Sequence, residues 1–282
     1  MTGSFEHRSL ESVDIGLIHK KAREKLKSHR LKEREFVEEY GEKAVANDLK
    51  EVAEIERRAV RFRVQEGKMI AEIFEALVSE CGESNNWFGK NALVRTASQF
   101  DDFKNGIDAI VEFPESEGST FLGLAADVTF SPDIAEKLAR IQEQIGKGQL
   151  ARVKYFKPVH ELPEVIVGAG MKIVLDVGKL WLERRNRELE AHRLQIMLLI
   201  QMRAQLEAFA LLARAKKHER LIPYFVGALI RVETILKEKE PLVKQVLHLL
   251  EDDPVHRQIL STVRSISTQA KAEIRRNERP VN

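Results

Sequence analysis

A single cysteine, Cys81, stands among 282 residues, which excludes an internal disulfide framework and a cysteine-based zinc cluster. Aromatic residues make up only 6% of the chain, too few for an evident stacking platform. Neither charge dominates: 46 Lys and Arg face 44 Asp and Glu, and a formal charge of +2 excludes a polybasic protein while leaving room for local patches. A long uncharged apolar run is missing too. Val165 to Leu182 contains Lys172, Asp176 and Lys179, and Leu194 to Leu212 contains Arg203 and Glu207, which argues against membrane helices. Met1 to Asp14 is polar and has no apolar leader core. A soluble, cytoplasmic protein without a membrane partner is expected.

Several chemical motifs are absent. The eight histidines are scattered without ligand spacing, so a histidine zinc site is not expected. No G-x-S-x-G occurs. Gly89-Lys90 lacks the earlier glycine of a phosphate loop and is followed by Asn91. Gly168-Ala-Gly170 has Ile173 where a dinucleotide fingerprint needs its third glycine, so a tight strand-to-helix turn is the better reading. Cys81, at a helix end, reads as buried and inert.

What is present divides into three stretches: a charged helical arm over 1–66, a mixed core over 67–168 and a helical C-terminal region over 169–282. Between Leu17 and Glu35 eight Lys and Arg outnumber three acids, and apolar residues stay sparse until Val60, so this part is expected to pack weakly or extend. Its cations either form a solvated face or contact phosphate; Lys20, Lys21, Arg23, Lys27 and Arg30 are the candidates for the second role. From Met69, Ile70, Ile73, Phe74 and Leu77 repeat at helical spacing up to about Cys81-Gly82. Gly82 to Lys90 reads as a loop, Gly106 to Phe113 as a strand and Thr120 to Phe130 as another. Pro132 and Asp133 open a helix with the stripe Ile134, Leu138, Ile141 and Ile145, closed by Gly146 and Gly148. Ala151 to Phe156 and Val165 to Gly168 are the third and fourth expected strands. Helices follow over Lys172–Leu189, His192–Lys217, Ile222–Lys239, Leu242–Leu250 and Val255–Arg276, where amides such as Gln201 and Gln205 sit in a bundle core. Arg264, Lys271, Arg275, Arg276 and Arg279 make the end basic, which a frayed, solvated terminus explains. The fold class is α/β (α+β): a small mixed sheet with flanking helices.

Asp108 opens one strand, just after Gly106, and Asp127 lies near the end of the next, so an antiparallel pairing can bring the two carboxylates together, and strand alternation places Asp127 and Thr129 on the same face. Two acids in an apolar sheet are costly unless compensated. A divalent cation compensates them, because Mg²⁺ takes one or two carboxylates with water and phosphate oxygens. Strand ends solvating both groups would do so equally well.

On these residues the chain resembles the PD-(D/E)XK nuclease superfamily. Gly106-Ile107-Asp108 is similar to its first acid, Asp127-Val128-Thr129 stands where D/E-x-K would be, and Phe74-Glu75 is similar to the helix glutamate near the metal. The resemblance covers roughly Gly67 to Phe156. It implies a restriction-endonuclease-like core, a nuclease acting on nucleic acid with DNA the favoured form, and Mg²⁺ or Mn²⁺ held by Asp108, Asp127 and the Val128 carbonyl. The chain departs from the pattern at Thr129, where the family has a lysine that activates water and steadies the phosphorane. The family sometimes supplies that lysine from a neighbouring element; Lys154 is the first candidate and Lys104 the second. Asp101 and Asp102 read as turn and capping residues. Glu112 shares strand parity with Asp108, and Glu66 falls inside the apolar stripe of its helix while Glu75 falls off it. Three functions stay open: a metal-dependent nuclease, a catalytically degenerate nucleic-acid-binding module, and a helical protein-interaction scaffold that could form homodimers.

Overall fold

The computed structural model describes residues 3–59, 65–113, 122–130, 133–157 and 159–278, with side chains left undescribed at 3–14, 59, 65 and 66. Helices α1 (Gly3–His29), α2 (Val37–Tyr40), α3 (Glu42–Ala59) and α4 (Gln65–Ser84) precede a meander of β1 (Leu93–Thr96), β2 (Ala109–Phe113) and β3 (Leu122–Thr129). Helix α5 (Ile134–Gly146), the short strands β4 (Ala151–Arg152) and β5 (Glu161–Leu162), and β6 (Glu164–Gly168) complete the mixed part. The rest is helical: α6 (Met171–Leu182), α7 (Asn186–Glu190), α8 (Arg193–Ala215), α9 (Ile222–Glu238), α10 (Glu240–Leu250) and α11 (Pro254–Asn277).

The main sheet has the order β1-β2-β3-β6, with β1, β2 and β3 antiparallel in sequence and β6 parallel to β3. Returning β6 parallel to β3 requires a crossover, and α5 supplies it. The class is therefore mixed α/β, dominated by helices. The register pairs Ala109 with Ala126 and Asp127 with Ile166. Ala109, Val111, Ala126 and Val128 belong to the large core shared with α4, whereas Ile110 and Ala125 face a smaller cluster beneath the β4-β5 hairpin.

The two apolar stripes read from the sequence are both buried. Ile70, Ile73, Phe74 and Leu77 of α4 are at most 1% exposed, and Ile134, Leu138, Ile141 and Ile145 form the inner face of α5. Four expectations need correction. The N-terminal helix does not extend as an arm: Ile18, Ala22 and Leu26 recur at helical spacing and are buried against α4 and α6. Ile18 fits because Gly178 has no side chain; a Cβ there would sit 2.9 Å from an Ile18 methyl. A strand at 93–96 was not expected, since four residues are too few to establish alternation. The strand expected over Ala151–Phe156 is reduced to two residues in a separate hairpin, and it does not join the main sheet. The reason is local: the backbone N–H groups of Lys154 and Tyr155 donate to Asp101 Oδ1 and Oδ2, which removes them from any ladder. The helix expected over Lys172–Leu189 also breaks after Leu182, where Arg184 takes a left-handed conformation at φ +57°.

The outer edge of β6 is covered in an unusual way. Gln205 of α8 accepts a hydrogen bond from the Ile166 N–H and donates to the Ile166 carbonyl; Gln201 does the same for Gly168. Two amide side chains thereby act as a neighbouring strand would, satisfying an edge that would otherwise bury unpaired backbone groups.

Candidate functional site

The loop before β2 is built around Asp101, which is fully buried and accepts from the Ser98 hydroxyl, the Asn105 amide and the two backbone N–H groups of 154 and 155. Residues Asp101–Asn105 form a π-helical turn closed by Gly106 in the left-handed region at φ +69°. A Cβ on Gly106 would lie 3.2 Å from the Arg140 guanidinium, so glycine is needed here for conformation and for space. Asp101 is thus a structural hub, a larger part than the turn residue the sequence suggested.

The turn delivers Asp108 to the start of β2. Its backbone N–H donates to the Ala126 carbonyl, and its Oδ2 accepts from the Val128 N–H at 2.7 Å. The regular register ends at Ala109↔Ala126, and because the Asp108 N–H bonds the carbonyl of that same Ala126, Asp108 lies beside the ladder at the end of β2, next to the Ala126–Val128 stretch of β3. Within a strand a residue's N–H and carbonyl point to the same side, so the Val128 carbonyl faces the same gap beyond β2. Asp127, 3% exposed, accepts at Oδ1 from Lys137 Nζ of α5 at 2.5 Å, with Arg140 Nη2 at 3.6 Å from Oδ2. Arg140 also donates to the Asn105 carbonyl and pairs with Glu164 at 2.5 Å.

The electrostatics mark this gap. Burial pushes the Asp108 carboxyl well above the usual range, and repulsion from Glu75, Asp102 and Asp127 adds to it, against the Val128 hydrogen bond. Glu75 is pushed up to about 8, first by burial and then by Asp102, with Arg30 opposing. As whole residues both are half-buried, while their carboxyl groups sit deep among protein atoms. Glu164 is raised to about 7 by burial, offset by Arg140. Glu75 from α4, Asp102 and Asp108 before β2 and Asp127 from β3 therefore share one electrostatic neighbourhood, and Glu164 from β6 joins it only through Asp127. Among the described residues, no three Asp, Glu, His or Cys side chains are gathered closely enough to hold a metal ion as they stand.

The remaining candidates are distributed elsewhere. Lys154 is not on a strand beside Asp127; its ammonium pairs with Asp48 of α3, ringed by Tyr40, Phe100 and Tyr155 at 5.0–5.4 Å. Lys104 pairs with Glu51 of the same helix. Glu112 bonds Arg95 at 2.8 Å between β1 and β2. The side chain of Glu66 lies outside the described residues. Of the N-terminal cations, Lys21 donates to the Trp181 carbonyl and sits over its ring, and burial lowers its pKa. Arg23 lies 4.0 Å from Glu72, Arg30 bonds Asp102 at 3.2 Å, and Lys20 and Lys27 are exposed.

Lys137 is the residue that sequence reasoning missed. It stands three after Ile134 and four before Ile141, on the border of the apolar stripe, which is an unusual place for a fully solvated cation. Comparison with protein-family models, curated proteins and solved structures returned no match.

Proposed function

We propose that this chain is a metal-dependent phosphodiesterase acting on nucleic acid, built on a restriction-endonuclease-like core. One observation supports the reading: Asp108, bonded to the Val128 N–H, and Asp127, bonded to Lys137, stand at the same end of two adjacent strands and within electrostatic reach of each other. The order α4, β1, β2, β3, α5, β6, with β6 parallel to β3, supports it, as does Glu75 in the same neighbourhood. Lys137 supplies the cation that Thr129 lacks, from the helix after the strand.

The donor set suits Mg²⁺ or Mn²⁺, since it is all oxygen: Asp108, Asp127, the Val128 carbonyl, and Glu75 through water. When bound, such an ion would lower the pKa of a water and offset charge on the phosphate. The chain's own groups have separate tasks. The Lys137 ammonium orients Asp127 and presents positive charge where a pentavalent phosphate would gather negative charge. Asp108, bonded to the Val128 N–H, fixes the carbonyl of that same residue toward the gap. Glu75, with its raised pKa, exchanges a proton near neutral pH.

The test is cleavage of plasmid and single-stranded DNA with Mg²⁺ or Mn²⁺ added. Metal-dependent cutting abolished by Asp127→Ala supports the reading; cutting that survives in Asp127→Ala, or none with either metal, refutes it. A second reading, nucleic-acid binding without catalysis, draws on the fact that Asp127 and Asp108 each already hold a partner, Lys137 and the Val128 N–H. Salt-sensitive binding without cleavage would select it.

A further inference from the structure

The basic C-terminal stretch is helical as far as Asn277, not frayed, and Arg279 lies outside the described residues. This stretch forms α11, a 24-residue helix whose Val255, Ile259, Val263, Ile266 and Ala270 are buried, with α8 as its main neighbour. The outward face of that helix has a regular composition. Arg257, Ser261, Arg264, Thr268, Lys271 and Arg275 are all exposed, and at about 100° per residue they fall within one narrow stripe. The helix carries five Lys and Arg against one acid, Glu273, and that acid is turned away to Lys216, just past the end of α8.

Comparison with the other helices makes this face stand out. Lys21 and Lys25 of α1 and Arg30 just after it contact other elements, and Arg58, Lys147 and Lys244 each pair with a glutamate four residues before. Lys43 and Lys50 of α3 are exposed without a salt bridge among the described residues, but that helix carries five acids where α11 has one. Among the described residues, Arg257, Arg264, Lys271 and Arg275 form no salt bridge.

We infer that the exposed face of α11 binds the phosphate backbone of nucleic acid. From Arg257 to Arg275 the stripe runs about 27 Å at the rise of an α-helix, somewhat less than one turn of duplex. Arg257, Arg264 and Lys271 recur every two helical turns, and between them stand Ser261 and Thr268, small residues whose hydroxyls donate to the Gln258 and Arg264 carbonyls of the same helix and leave the stripe open. An anionic membrane fits less well, because interfacial helices insert an apolar face and the apolar face of α11 is already buried. The location agrees with the proposed chemistry: Asp253, which caps α11, bonds the Gly170 N–H just beyond β6, and Val255 packs on Gly168, whose register partner is Thr129. The helix thus begins at the end of the sheet that carries Asp127. This inference rests on the nucleic-acid reading above but not on catalysis.

The experiment uses the full chain carrying Asp127→Asn, so that binding is measured without cleavage, with fluorescent single- and double-stranded DNA over a salt series. Neutralising Arg257, Arg264 and Lys271 together to Gln should weaken binding by roughly tenfold or more. It should also flatten the slope of log affinity on log salt by about 2–3, the loss of three phosphate contacts. A control neutralising exposed Lys43, Lys50 and Lys237 should leave both quantities near those of the parent. Equal weakening by the two triple variants, an unchanged slope, or binding to anionic vesicles but not to DNA would overturn the inference. Failure to cleave while this binding persists would count against the enzyme reading alone.

Discussion

Replacing Lys137 by Met removes the ammonium from Asp127 without shortening the side chain much, so the fold should survive while the proposed cleavage falls by about 100-fold or more, the usual effect of losing one pre-placed charge donor. Lys137→Arg should recover part of the rate, and Lys154→Met should leave it unchanged, because Lys154 is held by Asp48. Initial rates on a defined oligonucleotide separate the three. The contrast also explains why one half of the pair was legible and the other was not. Asp108 and Asp127 could be read because acids at adjacent strand ends are unusual in an apolar sheet. The lysine could not be located by strand adjacency, since its approach depends on how α5 crosses over the sheet. Gly106→Ala offers an independent check on the loop: at φ +69°, with the Arg140 guanidinium 3.2 Å from the new Cβ, it should cost about 1–2 kcal/mol in chemical denaturation.

Among the elements, α4 and α5 were legible because their apolar residues repeat cleanly over enough positions, and β6 because a short β-branched run, Val165-Ile-Val, is bounded by Pro163 and Gly168. The N-terminal helix was misread because its buried face is thin. Ile18, Ala22 and Leu26 are separated by charged residues that reach around to His19–Glu72 and Lys25–Glu80 pairs, so composition suggested an arm. Ile18→Ala should therefore cost about 2–4 kcal/mol, a core value, where an arm would show almost nothing. The edge of β6 makes a similar point about polar residues inside a bundle. Gln205→Leu is nearly isosteric yet strands the Ile166 N–H and carbonyl, so a loss of about 2–4 kcal/mol is expected in urea melts, the combined cost of two unsatisfied groups. The sequence placed Gln205 in the core correctly but held no signal for its partner, since the contact joins residues 39 apart.

Across the whole molecule, two sets of titrating groups pull stability in opposite directions with pH. His192 caps α8 by accepting from the Leu194 N–H, burial lowers its pKa to about 4, and His256 is lowered by burial as well while it receives the Gln201 amide. The native state then binds fewer protons than the unfolded chain, so stability is fully present above about pH 6.5 and is lost as pH falls toward 4. Glu75, Glu164 and Asp108 act the other way: their carboxyl groups are raised in the folded protein, so it binds more protons, and stability falls as pH rises through 7 and 8. Thermal melts of the metal-free protein should peak in the weakly acidic range between these flanks. Only the alkaline flank should respond to Mg²⁺ or Mn²⁺, because a cation stabilises the ionised acids and must compete with protons below it. Melts with millimolar metal should therefore show a larger gain at pH 8.5 than at pH 6, and Glu75→Gln should raise the metal-free melting temperature at pH 8.5 while shrinking that gain. A gain that is equal at the two pH values would mean the metal binds away from the raised carboxylates.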